Sequence, residues 1–451
     1  MPNIRIIEKD LTSVYQSNPT ETIVYIPGFM GTGATTATAE VPTLCRTVAE
    51  FEKYFGTGPA TGEGEAFANP QISTGSYSFQ FPDNLDGKNV IKGTVDIAYL
   101  YAHQLLVRGV PVLYEAIKSE TVGTIIASDI ATLYTKFVSK DFWGRLTSLD
   151  YNVKYITSGG YPIFEFGTSK DKFVVCDLML EAAEKCGDCV ALIDYEYIDK
   201  RTLDSTNADS VYSVLQGLGS AGEKLTYGAM FAPYANYTIS ATSASSDYTK
   251  LTAPASFGYL LALANSINNK NADWLAVAGS QRGVIPELDS LIESMNSSIA
   301  NDYNKVDGKI SINSITRIRN LGTIIWSNRT LQKNSGTDID ITSKTGEFPI
   351  LPALSLLNLR VMTNDIKKIL KDTALYYTFE NNDDILWLNF RAKVDSYLDT
   401  IVSNGGLRTY ELNRVGYTGR NTLKVQLKLY PIQPVENWDI EIELRNATEV
   451  E

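Results

Sequence analysis

The stretch "IVYIPGFMGTGATT", residues 23–36, runs from an apolar segment into a loop holding Gly28, Gly31 and Gly33. The apolar part predicts a buried strand. The loop poses a choice between a phosphate cradle and a purely structural turn. A phosphate-binding loop needs Lys and then Ser or Thr directly after its last glycine, to hold the terminal phosphates and magnesium. Gly28 and Gly33 have the right separation, but Ala34 stands where Lys is required. The dinucleotide pattern also fails, because Thr36 occupies the place of its third glycine. Either site would have to open a helix whose N-terminus faces the anion. Instead "ATTATAEVP" follows, β-branched and polar and ended by Pro42. The motif quality disfavours nucleotide binding, and the role of the loop stays open at this point.

Working outward, strands alternate with helices. "PTLCRTVAEFEKYFG" places Val48, Phe51 and Phe55 on one helical face and stops at Gly56. Residues 57–76 are rich in Gly, Pro, Ser and Thr and read as an insertion or long loop. A helix over 95–108 leads to the strand "GVPVLYEAI". "YNVKYITSGG" predicts a strand, 170–186 a helix, and "CVALIDY", "YGAMFAPYANYTI" and "DWLAVAG" further strands, with the helix "ASFGYLLALANSINN" among them. This alternation predicts an α/β sheet covered on both faces. Beyond a polar segment near residue 340, helical runs over about 353–379 and 383–402 precede two alternating segments, Leu423–Leu429 and Trp438–Leu444. The first 22 residues read as an arm carrying the strand-like "NIRIIEK".

The 451 residues are 44% hydrophobic and 20% charged, enough for two or three domains with a sizeable core. A net charge of −12 argues against broad binding of nucleic acid and against anionic membrane surfaces. No stretch approaches the roughly twenty apolar residues of a membrane span. "MPNIRIIEKD" carries charges within its short apolar run, which predicts synthesis without a cleaved export signal.

Candidate chemistry is sparse. The four cysteines include the pair Cys186 and Cys189 with redox or metal spacing. They fall at the end of a predicted helix, not at its start, and are read as buried apolar thiols. The single histidine, His103, sits in a helix apolar all round and is read as packed and hydrogen-bonded. Asp194 ends a predicted strand, where open α/β sheets hold catalytic groups, but no partner is identifiable from spacing. Arg360, Lys367, Lys368 and Lys371 form a basic cluster that reads as a solvated face or as a docking surface for an acidic partner.

Taken in order, "IVYIPGFMGTG", "PTLCRTVAEFEKYFG", "VDIAYLYAHQLLVRGVPVLYEAI", "DCVALIDY", "YGAMFAPYANY", "APASFGYLLALANS", "DWLAVAGSQRGVI", "RIRNLGTIIWSNRTL", "LWLNFRAKVDSYLDTIVSNGGLRTYEL" and "NTLKVQLKLYPIQPVENWDIEIEL" resemble the contractile tail sheath proteins of bacteriophages and related injection machines. The resemblance spans nearly the whole chain. It departs in the long irregular segment 57–90 and in "TAPASFGYL".

The resemblance implies a non-enzymatic structural subunit with no cofactor, in which the loop of Gly28, Gly31 and Gly33 belongs to the body, binds no phosphate and makes tight turns with positive φ. It implies an arm at 1–22, a mixed-sheet α/β body at 23–340, and an α/β inner domain at 341–451 whose sheet is completed by exchanged terminal strands. Ile4, Ile6 and Ile7 would supply one such strand, and Trp438, Ile440, Ile442 and Leu444, within about 436–446, the other. Lys367, Lys368 and Lys371 would face the tube. Implied partners are further copies in stacked rings, an inner tail tube protein, and baseplate and tail terminator proteins, with no direct nucleic acid contact and no membrane insertion. The implied location is the tail of a virion assembled in the host cytoplasm. The competing expectations are a cytosolic α/β enzyme using Asp194 and a surface-array or adhesion protein.

Overall fold

The computed structural model describes residues 21–35, 40–62, 96–148, 152–161, 163, 174–194, 224–240, 248–269, 272, 274–291, 311–332, 353–417 and 422–434. Its strands are β1 (Ile23–Phe29), β2 (Thr43–Cys45), β3 (Thr61–Gly62), β4 (Val112–Ile117), β5 (Thr124–Ile125), β6 (Val153–Ile156), β7 (Val190–Asp194), β8 (Gly228–Ala232), β9 (Ala235–Ser240), β10 (Tyr248–Ala253), β11 (Leu288–Leu291), β12 (Ile312–Ile318), β13 (Gly322–Ile325), β14 (Leu407–Tyr417) and β15 (Leu423–Pro431). The helices are α1 (Val48–Phe55), α2 (Ile97–Val107), α3 (Ala127–Phe137), α4 (Lys140–Gly144), α5 (Val174–Cys186), α6 (Ala255–Asn268), α7 (Gly279–Arg282), α8 (Leu357–Tyr376) and α9 (Asp384–Ser403).

An eight-stranded sheet in the order β13-β12-β8-β7-β6-β1-β4-β2 forms the body. Neighbours from β12 to β4 pair parallel, and β13 and β2 close the two edges antiparallel. The mixed α/β class predicted from the alternation is the one observed. Every residue of β1 is buried, as a central strand covered on both faces requires. Tyr155 of β6 meets Tyr259 of α6, whereas its neighbour Lys154 meets Asp365 of α8, so these helices lie on opposite faces. α2 is apolar all round because it is wedged between the sheet and α6, where Tyr101 packs on Phe257.

The opening loop owes its glycines to space. Only Gly33 of the three has positive φ, at 80°. A Cβ on Gly28 would lie 2.2 Å from the Tyr114 hydroxyl, and one on Gly31 would lie 2.2 Å from the Gly58 carbonyl oxygen. The expectation of positive φ at Gly28 and Gly31 is thus corrected: close approach of neighbouring chain excludes a side chain there.

Two apolar segments depart from their predicted strands. "YGAMFAPYANYTI" divides at a cis Ala232–Pro233 bond into β8, in the body sheet, and β9, centre of the separate antiparallel sheet β10-β9-β11. "DWLAVAG" is not a strand. Trp274, 7% exposed, anchors an irregular segment instead, with its indole against Gly406, where a Cβ would lie 2.7 Å from the ring. Burial of the ring takes precedence over strand pairing there.

The last described elements form a smaller layer. β14 and β15 make a two-stranded antiparallel sheet pairing Tyr410 with Leu429 and Leu412 with Leu427. Phe390, Val394, Leu398 and Ile401, spaced three or four apart, are the buried stripe of α9. Asp383 caps α9 by accepting from Leu386 N at 2.8 Å.

Gly31→Ala should therefore cost on the order of 3 kcal/mol, because the obstructing atom is backbone and the loop must move. Gly33→Ala meets no atom within 4 Å and should cost only about 1 kcal/mol of left-handed strain. Urea unfolding of the two variants checks the ranking, and equal midpoints would overturn it.

Candidate assembly surface

Parallel strands begin on one edge of the sheet, and carbonyls at those starts need donors. α8 crosses this edge. Asn364 Nδ2 donates to Cys189 O at 3.2 Å, Lys367 Nζ to Gly187 O at 3.2 Å and Lys368 Nζ to Val153 O at 3.2 Å. Lys154 Nζ and Asp365 Oδ2 pair at 2.9 Å, both side chains 1% exposed. The Arg360 guanidinium lies 4.0 Å from the Tyr227 ring centroid and donates to Thr226 Oγ1 at 3.0 Å. Burial pushes the Lys368 amine below its usual range, while Asp188 and Asp365 pull the other way.

This geometry corrects the reading of the basic cluster. Lys368 is buried against the body, not turned outward. Lys367 is exposed at the surface, yet its amine reaches back to Gly187 and to the Tyr227 hydroxyl at 2.8 Å. Lys371 lies on the exposed part of α8. Arg360 is also buried. Polar residues at 360, 364 and 368 fall one helical turn apart among Leu357, Leu359, Val361, Met362 and Ile366, a buried pattern that the net charge of the cluster obscured.

The first half of α8 is seated in the body and the second half leaves it. Around its free end and the start of α9, Leu375, Tyr376, Phe379, Ile385 and Leu388 are each more than 60% exposed. Beside them a groove of about 540 Å³ runs between Leu370, Tyr377, Leu386 and Phe390 of the helices and Leu423 and Val425 of β15. Clustered apolar exposure of this kind marks an interaction surface. β15 alternates half-buried and exposed side chains over Leu423–Pro431 as predicted. Among the described residues, β14 and β15 each pair only with the other, so the outer edge of each remains open. Ile4, Ile6, Ile7, Trp438, Ile440, Ile442 and Leu444 lie outside the described residues.

The remaining candidates are structural. Asp194, 4% exposed, accepts from Ser256 N at 2.8 Å and from Ser256 Oγ at 2.6 Å. It thus caps α6, whose own N-cap, Pro254, offers no side-chain acceptor. Desolvation pushes its carboxyl up to about 7, against the opposing effect of the two Ser256 bonds. The crevice between β1 and β6, where the strand order reverses, is the usual ligand position in open α/β sheets. Here it is filled: Asp96 accepts from Phe29 N at 2.9 Å, Ala98 N at 3.0 Å and the Tyr114 and Tyr161 hydroxyls.

His103 is packed on Tyr99 with its Nε2 3.7 Å from Glu52 Oε1, and among the described residues neither ring nitrogen has a hydrogen-bond partner. The expected hydrogen bond is not formed among those residues; burial lowers the imidazole pKa, and Glu52 opposes it. Among the described residues no acidic, histidine and cysteine cluster could hold a metal, and no helix is long and apolar enough to cross a membrane.

Two measurements test these assignments. In the fold Asp194 keeps its proton to about pH 7, while the unfolded chain releases it near pH 4. Its contribution to stability is complete below pH 4 and is lost as pH rises to 7, a change on the order of 4 kcal/mol. Asp194→Asn should flatten that part of the pH profile of unfolding, and an unchanged profile would refute the raised carboxyl pKa. Asp365→Ala removes the carboxylate paired with the buried Lys154 amine and should destabilise by about 3–5 kcal/mol. Lys371→Ala should stay within about 0.5 kcal/mol of the parent in the same denaturant titration.

No family model matches the sequence. The tail sheath protein of Vibrio phage KVP40 is 23% identical over 139 residues, which are 31% of this chain. The chain spans only 18% of that relative's length. Solved structures match along nearly the whole chain. The sheath complex of an extracellular contractile injection system (PVC), in its contracted state, superposes with a TM-score of 0.57 at 13% identity, over 100% of this chain and 98% of that one. A chain of the anti-feeding prophage baseplate in the contracted state gives 0.62 at 16% identity, over 98% of each chain. A chain of the helical sheath of the same particle, also contracted, gives 0.55 at 14% identity, again over 98% of each. These likenesses show a shared fold.

Proposed function

We propose that this chain is the structural subunit of a contractile tail sheath: copies stack as rings around an inner tube, and the cylinder shortens to drive the tube through a target envelope. The observation that carries the reading is the sheet β14–β15, open along both outer edges among the described residues. A two-stranded sheet is marginal in water on its own, and added strands are the natural remedy. The sheath fold, matched over the full chain, supports the same reading.

In this reading residues 1–22 form an arm, 23–340 the body and 341–451 the inner domain. A strand containing Ile4, Ile6 and Ile7 and another containing Trp438, Ile440, Ile442 and Leu444 cross to neighbouring copies and extend the open sheet. Each backbone hydrogen bond so formed contributes about 1 kcal/mol net, and buried side chains add to it. The shared strands keep the subunits connected while their bodies rotate into a second packing, whose new contacts drive contraction without a nucleotide or other cofactor. Tube contact falls to Lys371 and the exposed end of α8, since Lys367 and Lys368 are engaged by the body. Exposed charge pairs suit a contact that must break. Baseplate and terminator proteins close the two ends. The particle is a virion tail, assembled in the host cytoplasm before genome ejection.

Electron microscopy of the purified protein should show hollow cylinders. Deleting residues 1–20 should leave the urea midpoint of the body within error and abolish the cylinders. Discrete small particles from the parent chain, or cylinders from the deletion, would count against the sheath reading.

A further inference from the structure

Cys186 is the last residue of α5, and Cys189 directly precedes β7. Gly187 between them has φ 75°, and its N–H donates to Ala183 O at 3.0 Å, so the chain reverses sharply here. Only two residues separate the cysteines at this reversal, and a disulfide can bridge Cα atoms up to about 7 Å apart. The Cys189 Sγ points back to the last turn of α5, 3.8 Å from Ala183 O. Cys186 ends that same turn.

Their surroundings differ. Cys189 is buried and Cys186 only half-buried. The positive charges of Lys368 and Lys371 act on Cys186 from α8, and Asp188 opposes them. The contact with Cys189, more than the lysines, holds the Cys186 thiol below its usual range; the Cys189 thiol is pushed up. A half-exposed thiol of lowered pKa beside a buried second thiol is the arrangement of an attacking and a resolving cysteine. The other two cysteines lack it. Cys45 and Cys176 are buried, and burial pushes the Cys45 thiol up to about 12 and that of Cys176 up as well.

We propose that Cys186 and Cys189 form a reversible dithiol–disulfide site, Cys186 attacking and Cys189 resolving, with a small-molecule disulfide as the oxidant. The Cys186 thiolate attacks one sulfur of the oxidant; the oxidant's S–S bond breaks and its first thiolate leaves. Cys189 then loses its proton to solvent and attacks Cys186 Sγ, expelling the second thiolate. Both thiolates take up protons, so the protein loses two electrons and two protons and the oxidant is reduced to two thiols. The turn closed in this way is the one that receives Asn364 and Lys367 of α8.

The test uses the reduced full chain incubated with oxidised glutathione, quenched in acid, alkylated and mapped by mass spectrometry. The parent should lose two hydrogens in the peptide holding Cys186 and Cys189, and dithiothreitol should restore them. Cys189→Ser should accumulate one glutathione adduct on Cys186, and Cys186→Ser should give no adduct on Cys189 in the folded state. Urea transitions check that both variants fold, and the parent mapping decides the matter alone if either does not. Full alkylation of Cys186 and Cys189 in the folded parent after oxidant, or separate adducts on both, would overturn the proposal.

Discussion

The seat of α8 on the strand starts of the body sheet is the contact on which the molecule depends. Three side chains of one helix supply donors to carbonyls of Val153, Gly187 and Cys189, and a buried Lys154–Asp365 pair locks the register between them. Such a pair adds little net energy, because desolvating two charges offsets most of their attraction. Its value lies in geometry: a helix slipped by one position would strand both charges in the core. The smaller layer of α9, β14 and β15 packs on the far end of this helix and, at Gly406, against Trp274.

The body sheet has the outline of a nucleotide-binding fold, yet its crevice is occupied by the protein itself. Asp96 gathers the end of β1, the start of α2 and the hydroxyls of Tyr114 and Tyr161 at the point where a ligand would sit. Asp194, the other buried acid at a strand end, is used up by Ser256. Similar architecture does not by itself carry similar chemistry, because chemistry resides in the groups that line a site and not in the order of strands.

Much of this was legible beforehand. Continuous apolar runs such as "IVYI" and the all-round apolar α2 announce two-sided burial, and the alternation of Leu423–Leu429 announces a one-sided sheet. The misread parts share a physical cause. Local pattern cannot reveal what a side chain meets far along the chain. Lys154 meets Asp365, 211 residues away, and Lys368 meets Val153, 215 residues away, so two members of a basic cluster that looks solvated, Arg360 and Lys368, belong to an internal clamp. Trp274 likewise takes its conformation from Gly406, and Gly31 its lack of a side chain from Gly58. Within the assembly surface, the alternating β15 was readable. The apolar tip was not, because Leu375 and Leu388 look like any core-facing helical residues until tertiary packing leaves them uncovered.

α8 is one unbroken helix of 20 residues, gripped by the body as far as Lys368 and exposed at its far end. At about 1.5 Å per residue the part beyond the grip is about 12 Å long, so a tilt of about 10° swings its tip through about 2 Å. It is therefore a short lever arm. Force applied at the tip is felt as torque at the strand starts.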